Sequence, residues 1–150
     1  MTTHLSPHFT LEEFTDSQTA ARQGINNKPP PGSADYAAIQ RTAETMEKVR
    51  TILGNKPILV SSGYRSPQLN AAVGGSTGSA HMSGLACDFS CPGFGDALAI
   101  CKALQPHLQE LRVDQLIWEY GTWVHLGLSR GDPRMMCLTI DNNGIRMGFA

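Results

Sequence analysis

Gly78-Ser79-Ala80-His81-Met82-Ser83-Gly84-Leu85-Ala86-Cys87-Asp88-Phe89 decides how the rest of the chain is read. Glycines and small residues surround a histidine and an aspartate. From Leu85 onward the chain alternates. Leu85, Cys87, Phe89 and Cys91 share one face of a strand, and Ala86, Asp88 and Ser90 share the other. The first face suits a core. The second carries a lone carboxylate among small side chains, where an ion can approach. Imidazole nitrogen and carboxylate oxygen are ordinary ligands of a catalytic zinc. Such a site needs a third ligand, and His125, in Trp118-Glu119-Tyr120-Gly121-Thr122-Trp123-Val124-His125, is the candidate. A rival set of His81 with Cys87 and Cys91 would use good thiolate ligands. Strand parity places both cysteines on the face away from Asp88, which disfavours it.

The chain has 150 residues, the size of one domain spanning 1–150. A chain this long can bury roughly 70% of its unfolded surface, so it needs neither disulfide nor metal merely to fold. A net charge of −1 with scattered Lys and Arg gives no electrostatic case for nucleic acid. No apolar run approaches the roughly 20 residues of a membrane span. Met1-Thr2-Thr3-His4-Leu5-Ser6-Pro7-His8 has neither the charged nor the apolar region of a signal peptide, so synthesis in a cytoplasm is expected. Cysteines 87, 91, 101 and 137 are then expected as reduced, buried side chains. His4, His8 and His107 lack any motif and are expected at the surface.

Thr10 and Glu13 form a capping box at the start of a short helix. A second helix covers 17–23 and stops at Gly24. Residues 25–32, with three consecutive prolines, form an extended connector. The longest helix covers 33–53, with Ile39, Ala43, Met46, Val49 and Leu53 on one face and Gly54 ending it. Residues 57–60 are expected as a short buried strand, 61–67 as a loop and 67–73 as a helix with Pro67 in its first turn. A helix is expected over 94–104, with Leu98, Cys101 and Leu104 inward. Residues 113–119 and 123–128 form a hairpin around Tyr120-Gly121-Thr122. Residues 136–141 and 145–149 form another, with Asn143-Gly144 as a type I′ turn. Helices first and hairpins last give an α+β domain, with N-terminal helices on a small antiparallel sheet.

With those elements placed, the chain resembles the zinc D-Ala-D-Ala carboxypeptidase family of peptidoglycan peptidases, peptidase family M15. Ser79, His81, Gly84, Ala86 and Asp88 meet the family pattern Ser-x-His-x-x-Gly-x-Ala-x-Asp. Ser62-Gly63-Tyr64-Arg65-Ser66 with Asn70 resembles its arginine-bearing loop, and Trp123-Val124-His125 the segment of the last ligand. Phe9-Thr10-Leu11-Glu12-Glu13-Phe14 and Asn27-Lys28-Pro29-Pro30 look like a branch common in bacteriophages and prophages. The resemblance covers most of 8–128. It implies a DD-peptidase/hedgehog-like fold and one Zn2+ held by His81, Asp88 and His125. It implies hydrolysis of peptide bonds in peptidoglycan stem peptides, of D-Ala-D-Ala carboxypeptidase or L-Ala-D-Glu endopeptidase type, by an endolysin-like monomer that reaches the wall by phage-type release or on a virion. Arg65 and Ser79 are the candidate substrate-binding residues, Arg65 because a guanidinium fork matches a carboxylate. Tyr64 is expected to pack.

One position departs from the pattern. Many relatives carry an acid three residues before the last histidine, and here that residue is Thr122. Glu119 is the nearby acid. If Tyr120-Gly121-Thr122 is a three-residue loop, Glu119 pairs with Trp123 and shares a face with His125, so Glu119 is the candidate general base. Asp96, Asp114 and Asp132 come after it. The alternative function is a non-catalytic zinc module that binds cell wall or a partner.

Overall fold

The computed structural model describes residues 2–149. Strands β1 (His4–Ser6) and β2 (Phe9–Thr10) pair antiparallel at the N-terminus. Helix α1 (Leu11–Thr15) starts on the capping box: the Glu13 N–H donates to the Thr10 hydroxyl at 3.3 Å, and the Thr10 N–H donates to the Glu13 carboxylate at 3.0 Å. Helix α2 (Gln18–Gln23) is capped by Ser17 and ends at Gly24. Helix α3 (Ala34–Ile52) is capped by Ser33 and stops just before Gly54. Its expected face is the buried one: Ile39, Ala43, Met46 and Val49, continued by Leu53 at the cap, are all fully buried.

The main sheet has six strands in the order β3-β4-β6-β5-β7-β8. They are β3 (Leu59–Ser62), β4 (Ala86–Ser90), β5 (Val113–Glu119), β6 (Trp123–Leu128), β7 (Met136–Asp141) and β8 (Gly144–Met147). Between them lie α4 (Pro67–Ala72), a 3-10 turn (Ala80–Ser83), α5 (Ala97–Leu104) and α6 (Leu108–Leu111). One face of the sheet packs into the core. Cys87 and Phe89 of β4, Leu116 of β5, and Val124 and Leu126 of β6 meet the buried faces of α3 and α5 there. Truncating a fully buried phenylalanine such as Phe89 to alanine typically costs about 3–5 kcal/mol. The opposite face carries Asp88, Gln115, Ile117, Glu119 and His125, and the site is built on it. Among the described residues no helix is long and apolar enough to cross a membrane.

Several expectations need correction. The sheet is mixed: β5 and β7 run parallel, because the chain leaving β6 passes the start of β5 and pairs with its other edge. The strand expected at 57–60 is β3, two residues later, and it is an edge strand with Leu59 exposed rather than a buried one. Ser61 and Ser62 therefore belong to a strand, not a loop. The last hairpin turns through Asn142-Asn143, with Asp141 opposite Gly144. Neither asparagine takes positive φ, so the turn is not type I′, and Gly144 takes the positive angle instead. Helix α5 starts at Ala97 because Asp96 caps it, after a tight turn that bridges Cys91 to Gly95. It buries Ala97, Ile100, Cys101 and Leu104, while Leu98 is only half-buried.

Candidate metal centre

His81 sits in the 3-10 turn. The Ser79 hydroxyl accepts its N–H at 3.2 Å, and Gly84 closes the turn in a left-handed conformation. That glycine is sterically required: a Cβ at Gly84 would lie 2.9 Å from the Asp35 carbonyl and 3.0 Å from Ile39. The Thr42 hydroxyl donates to the Gly84 carbonyl at 2.7 Å, which ties the turn to α3. Asp88 lies mid-β4 and His125 mid-β6, directly opposite each other in register. Two adjacent central strands and one turn thus bring together residues far apart in sequence.

His125 Nδ1 lies 2.8 Å from Asp88 Oδ1, and His81 Nε2 lies 3.3 Å from Asp88 Oδ2. One nitrogen from each imidazole and one Asp88 oxygen fall within 4.8 Å of one another. The far nitrogen of His81, Nδ1, is 2.6 Å from the Gly63 carbonyl. A carbonyl only accepts, so Nδ1 carries a proton and Nε2 turns its lone pair toward Asp88. Between Nε2 and the carboxylate there must then be a second proton or a cation. A second proton would make His81 an imidazolium at 2% exposure. A single cation satisfies both histidines and the carboxylate together, and the two-nitrogen, one-oxygen donor set fits zinc. Burial opposes charge on Asp88, but the His125 and His81 rings outweigh it and hold the carboxyl well below its usual range.

The rival thiolate set is not assembled. Cys87 and Cys91 are fully buried on the core face, and burial pushes the Cys87 thiol far up. All four cysteines are free; Cys137 is half-buried and the other three are buried.

Glu119 is the last residue of β5 and pairs with Trp123, so the three-residue loop holds. Its Oε1 lies 3.8 Å from His125 Nδ1. Burial raises the Glu119 carboxyl, Asp88 raises it further, and His125 and Arg65 partly offset the rise. Thr122 points its hydroxyl at the Tyr120 carbonyl, 2.9 Å away. The next acids are engaged elsewhere: Asp114 binds Arg134 through both oxygens, and Asp96 caps α5.

Arg65 and Ser79 meet at the cleft wall, with Arg65 Nη2 3.4 Å from the Ser79 hydroxyl. Burial pulls the Arg65 guanidinium down, and Asp88 and Glu119 oppose the shift. Arg65 Nε is buried without a partner. Tyr64 packs as expected, and its hydroxyl donates to Asp35 at 3.0 Å. The cleft over His81, Asp88 and His125 is about 770 Å³ and is walled by the 73–80 loop and the β5–β6 hairpin. A second lobe of about 550 Å³ lies beyond Arg65 and Asp88, which line both. Gln115 and Ile117 also line the main lobe; two-residue periodicity back from Glu119 would have found them. Trp123 stacks on Tyr120 at 5.5 Å at the rim, and its indole N–H lies close to Glu119 without meeting hydrogen-bond geometry.

A family model described as Peptidase M15 matches residues 7–127. The chain belongs to the peptidase M15 family. The M15 match takes in α1, the Arg65 loop, His81, Asp88, His125 and Glu119. A relative within reach of this M15 chain is the zinc D-Ala-D-Ala carboxypeptidase of Streptomyces albus G, 37% identical over 62 residues. Those residues are 41% of this chain and 24% of the relative, so the chain spans about a quarter of that protein's length.

Proposed function

We propose that the chain is a zinc-dependent peptidase that hydrolyses peptide bonds in the stem peptides of bacterial peptidoglycan. The observation that carries this reading is the His81–Asp88–His125 cluster at the floor of a cleft with Glu119 beside it. The family match supports the peptidase, and the named activity of the relative supports the substrate class.

Zinc bound there supplies Lewis-acid polarisation of the scissile carbonyl and lowers the pKa of a water. The protein's own groups do the rest. Glu119 accepts the proton of the attacking water and returns it to the departing amine, so the carboxylate is regenerated each turn. Arg65 holds a substrate carboxylate and fixes the register of the peptide. Ser79 keeps its hydroxyl between the His81 N–H and Arg65, which steadies the loop that meets the substrate. The Asp88 carboxylate keeps both imidazoles turned to the centre. On this reading residues 1–150 form one zinc peptidase domain that acts as a monomer, as a phage-type endolysin brought to the wall by release or on a virion. The bond is either D-Ala–D-Ala or L-Ala–D-Glu.

Release of amino groups from purified peptidoglycan, with mass spectrometry of the fragments, tests the proposal and identifies the bond. Zinc-loaded protein that releases nothing would leave the non-catalytic wall-binding module in its place.

A further inference from the structure

The connector between α2 and α3 contains one residue that its composition does not explain. Residues 25–30 alternate strictly: Ile25, Asn27 and Pro29 are buried, while Asn26, Lys28 and Pro30 are exposed. An extended segment that packs one side inward explains the pattern, and two of its inward residues are apolar. The third is an amide, 6% exposed. A buried amide costs free energy unless it is hydrogen-bonded.

Asn27 is bonded at both ends. Its Nδ2 donates to the Thr15 carbonyl at 2.8 Å and to the Tyr64 carbonyl at 2.9 Å. Its Oδ1 accepts the Ser66 N–H at 2.8 Å. Two carbonyls and one N–H admit only this orientation of the amide. Two of these three partners belong to the residues on either side of Arg65. The Arg65 N–H itself donates to the His81 carbonyl at 3.0 Å. Three consecutive residues of the arginine loop are thereby fixed, to the connector on one side and to a metal residue on the other. Among the described residues the guanidinium makes one long hydrogen bond, to Ser79, its Nε has no partner, and the Asp88 and Glu119 carboxylates act on it by charge alone. With little hydrogen bonding on the side chain itself, the fixed backbone is what anchors the base of the Arg65 side chain beside the cleft.

We infer that Asn27 is a positioning residue for Arg65, holding the loop so that the guanidinium enters the cleft pre-aimed at a substrate carboxylate. The inference rests on the reading of Arg65 given above. Asn27→Asp keeps the shape and the acceptor but turns an oxygen toward two carbonyls. Asn27→Ala removes all three bonds and leaves room for water. Neither change touches the metal residues.

The test is a double-mutant cycle with Arg65→Ala on purified peptidoglycan, with zinc content and thermal midpoint measured for every variant. Each Asn27 variant is expected to keep its zinc and to lose about tenfold in kcat/KM, carried by KM, while kcat changes little. In the Arg65→Ala background the same change should alter kcat/KM by less than about twofold, because the group it positions is gone. An equal loss in both backgrounds, or a fall in kcat together with zinc, would overturn the inference and leave Arg65's role standing. An Arg65→Ala enzyme with unchanged KM would overturn both.

Discussion

Glu119 and His125 face the same side of the β5–β6 hairpin, with Glu119 Oε1 3.8 Å from His125 Nδ1. The carboxylate thus borders the metal cluster without being part of it. Glu119→Gln keeps the shape and removes the proton acceptor. Turnover should fall by about 10² or more while zinc content stays at that of the parent. Initial rates and metal analysis on the same preparations check this; near-parental turnover would remove Glu119 from the chemistry.

The three candidate ligands can be examined without any substrate. His81→Ala, Asp88→Ala and His125→Ala should each weaken zinc by more than the roughly 10–100-fold typical of an outer-shell partner. Cys87→Ser, on the core face, should hold zinc as the parent does. Competition with a chelator of known affinity measures all four. Unchanged affinity in the three ligand variants would sink the assignment.

Gly63 links the N-terminal helix to the cluster. A Cβ there would lie 2.7 Å from both the Cα and the carbonyl oxygen of Phe14, and the Gly63 carbonyl holds His81 Nδ1. Backbone cannot yield as a side-chain tip can, so Gly63→Ala should cost about 1–3 kcal/mol of stability, typical of overpacking. Moving the carbonyl should also weaken zinc. Thermal midpoints with and without chelator read both effects, and a variant matching the parent in each would contradict the geometry.

Glu47 fastens the N-terminal hairpin to α3. It accepts the Ser6 hydroxyl at 2.7 Å and the His8 N–H at 2.6 Å, and the His8 ring lies 2.8 Å away. Burial raises its carboxyl, but these partners outweigh burial and hold it below its ordinary 4.5. A lowered folded-state pKa stabilises above the unfolded value, and the contribution is lost as pH falls through the folded one. The gap in thermal midpoint between parent and Glu47→Gln should therefore be open at about pH 7 and shrink toward about pH 3. A gap that widens on acidification would refute it.

Much of the site was legible because strand parity is a local rule. The alternation around Asp88 set it on the face away from the core, and the length of the Tyr120–Thr122 loop put Glu119 and His125 on one face; that Asp88 and His125 lie opposite each other came from the pairing of β4 with β6. The long helix was legible for the same reason, through its apolar spacing. The parallel β5–β7 pair was not. Residues 129–135 join the two hairpins, and nothing in the composition of such a connection says which edge of a sheet the next strand will join. The Gly63 carbonyl was invisible because a backbone acceptor leaves no mark in the pattern of side chains. Asn27 stood in plain view as part of a connector, and its meaning came only from the burial of the residues beside it.

The pairing of Asp88 with His125 also bears on how the sheet avoids misassembly. A slip of one residue between β4 and β6 would exchange the faces of a strand. Asp88 would then enter the core without its histidines, a buried unpaired charge, and Cys87 and Phe89 would turn to water. The same slip would abolish the cation site. Polar and apolar halves of β4 thus penalise one error together, and on the proposed reading zinc would bind only a chain whose central strands are already in register. Metal in solution would therefore draw the population toward correctly paired sheet by mass action, about 2.7 kcal/mol when free zinc exceeds its dissociation constant a hundredfold. On that reading the centre would proofread strand register as well as serve chemistry.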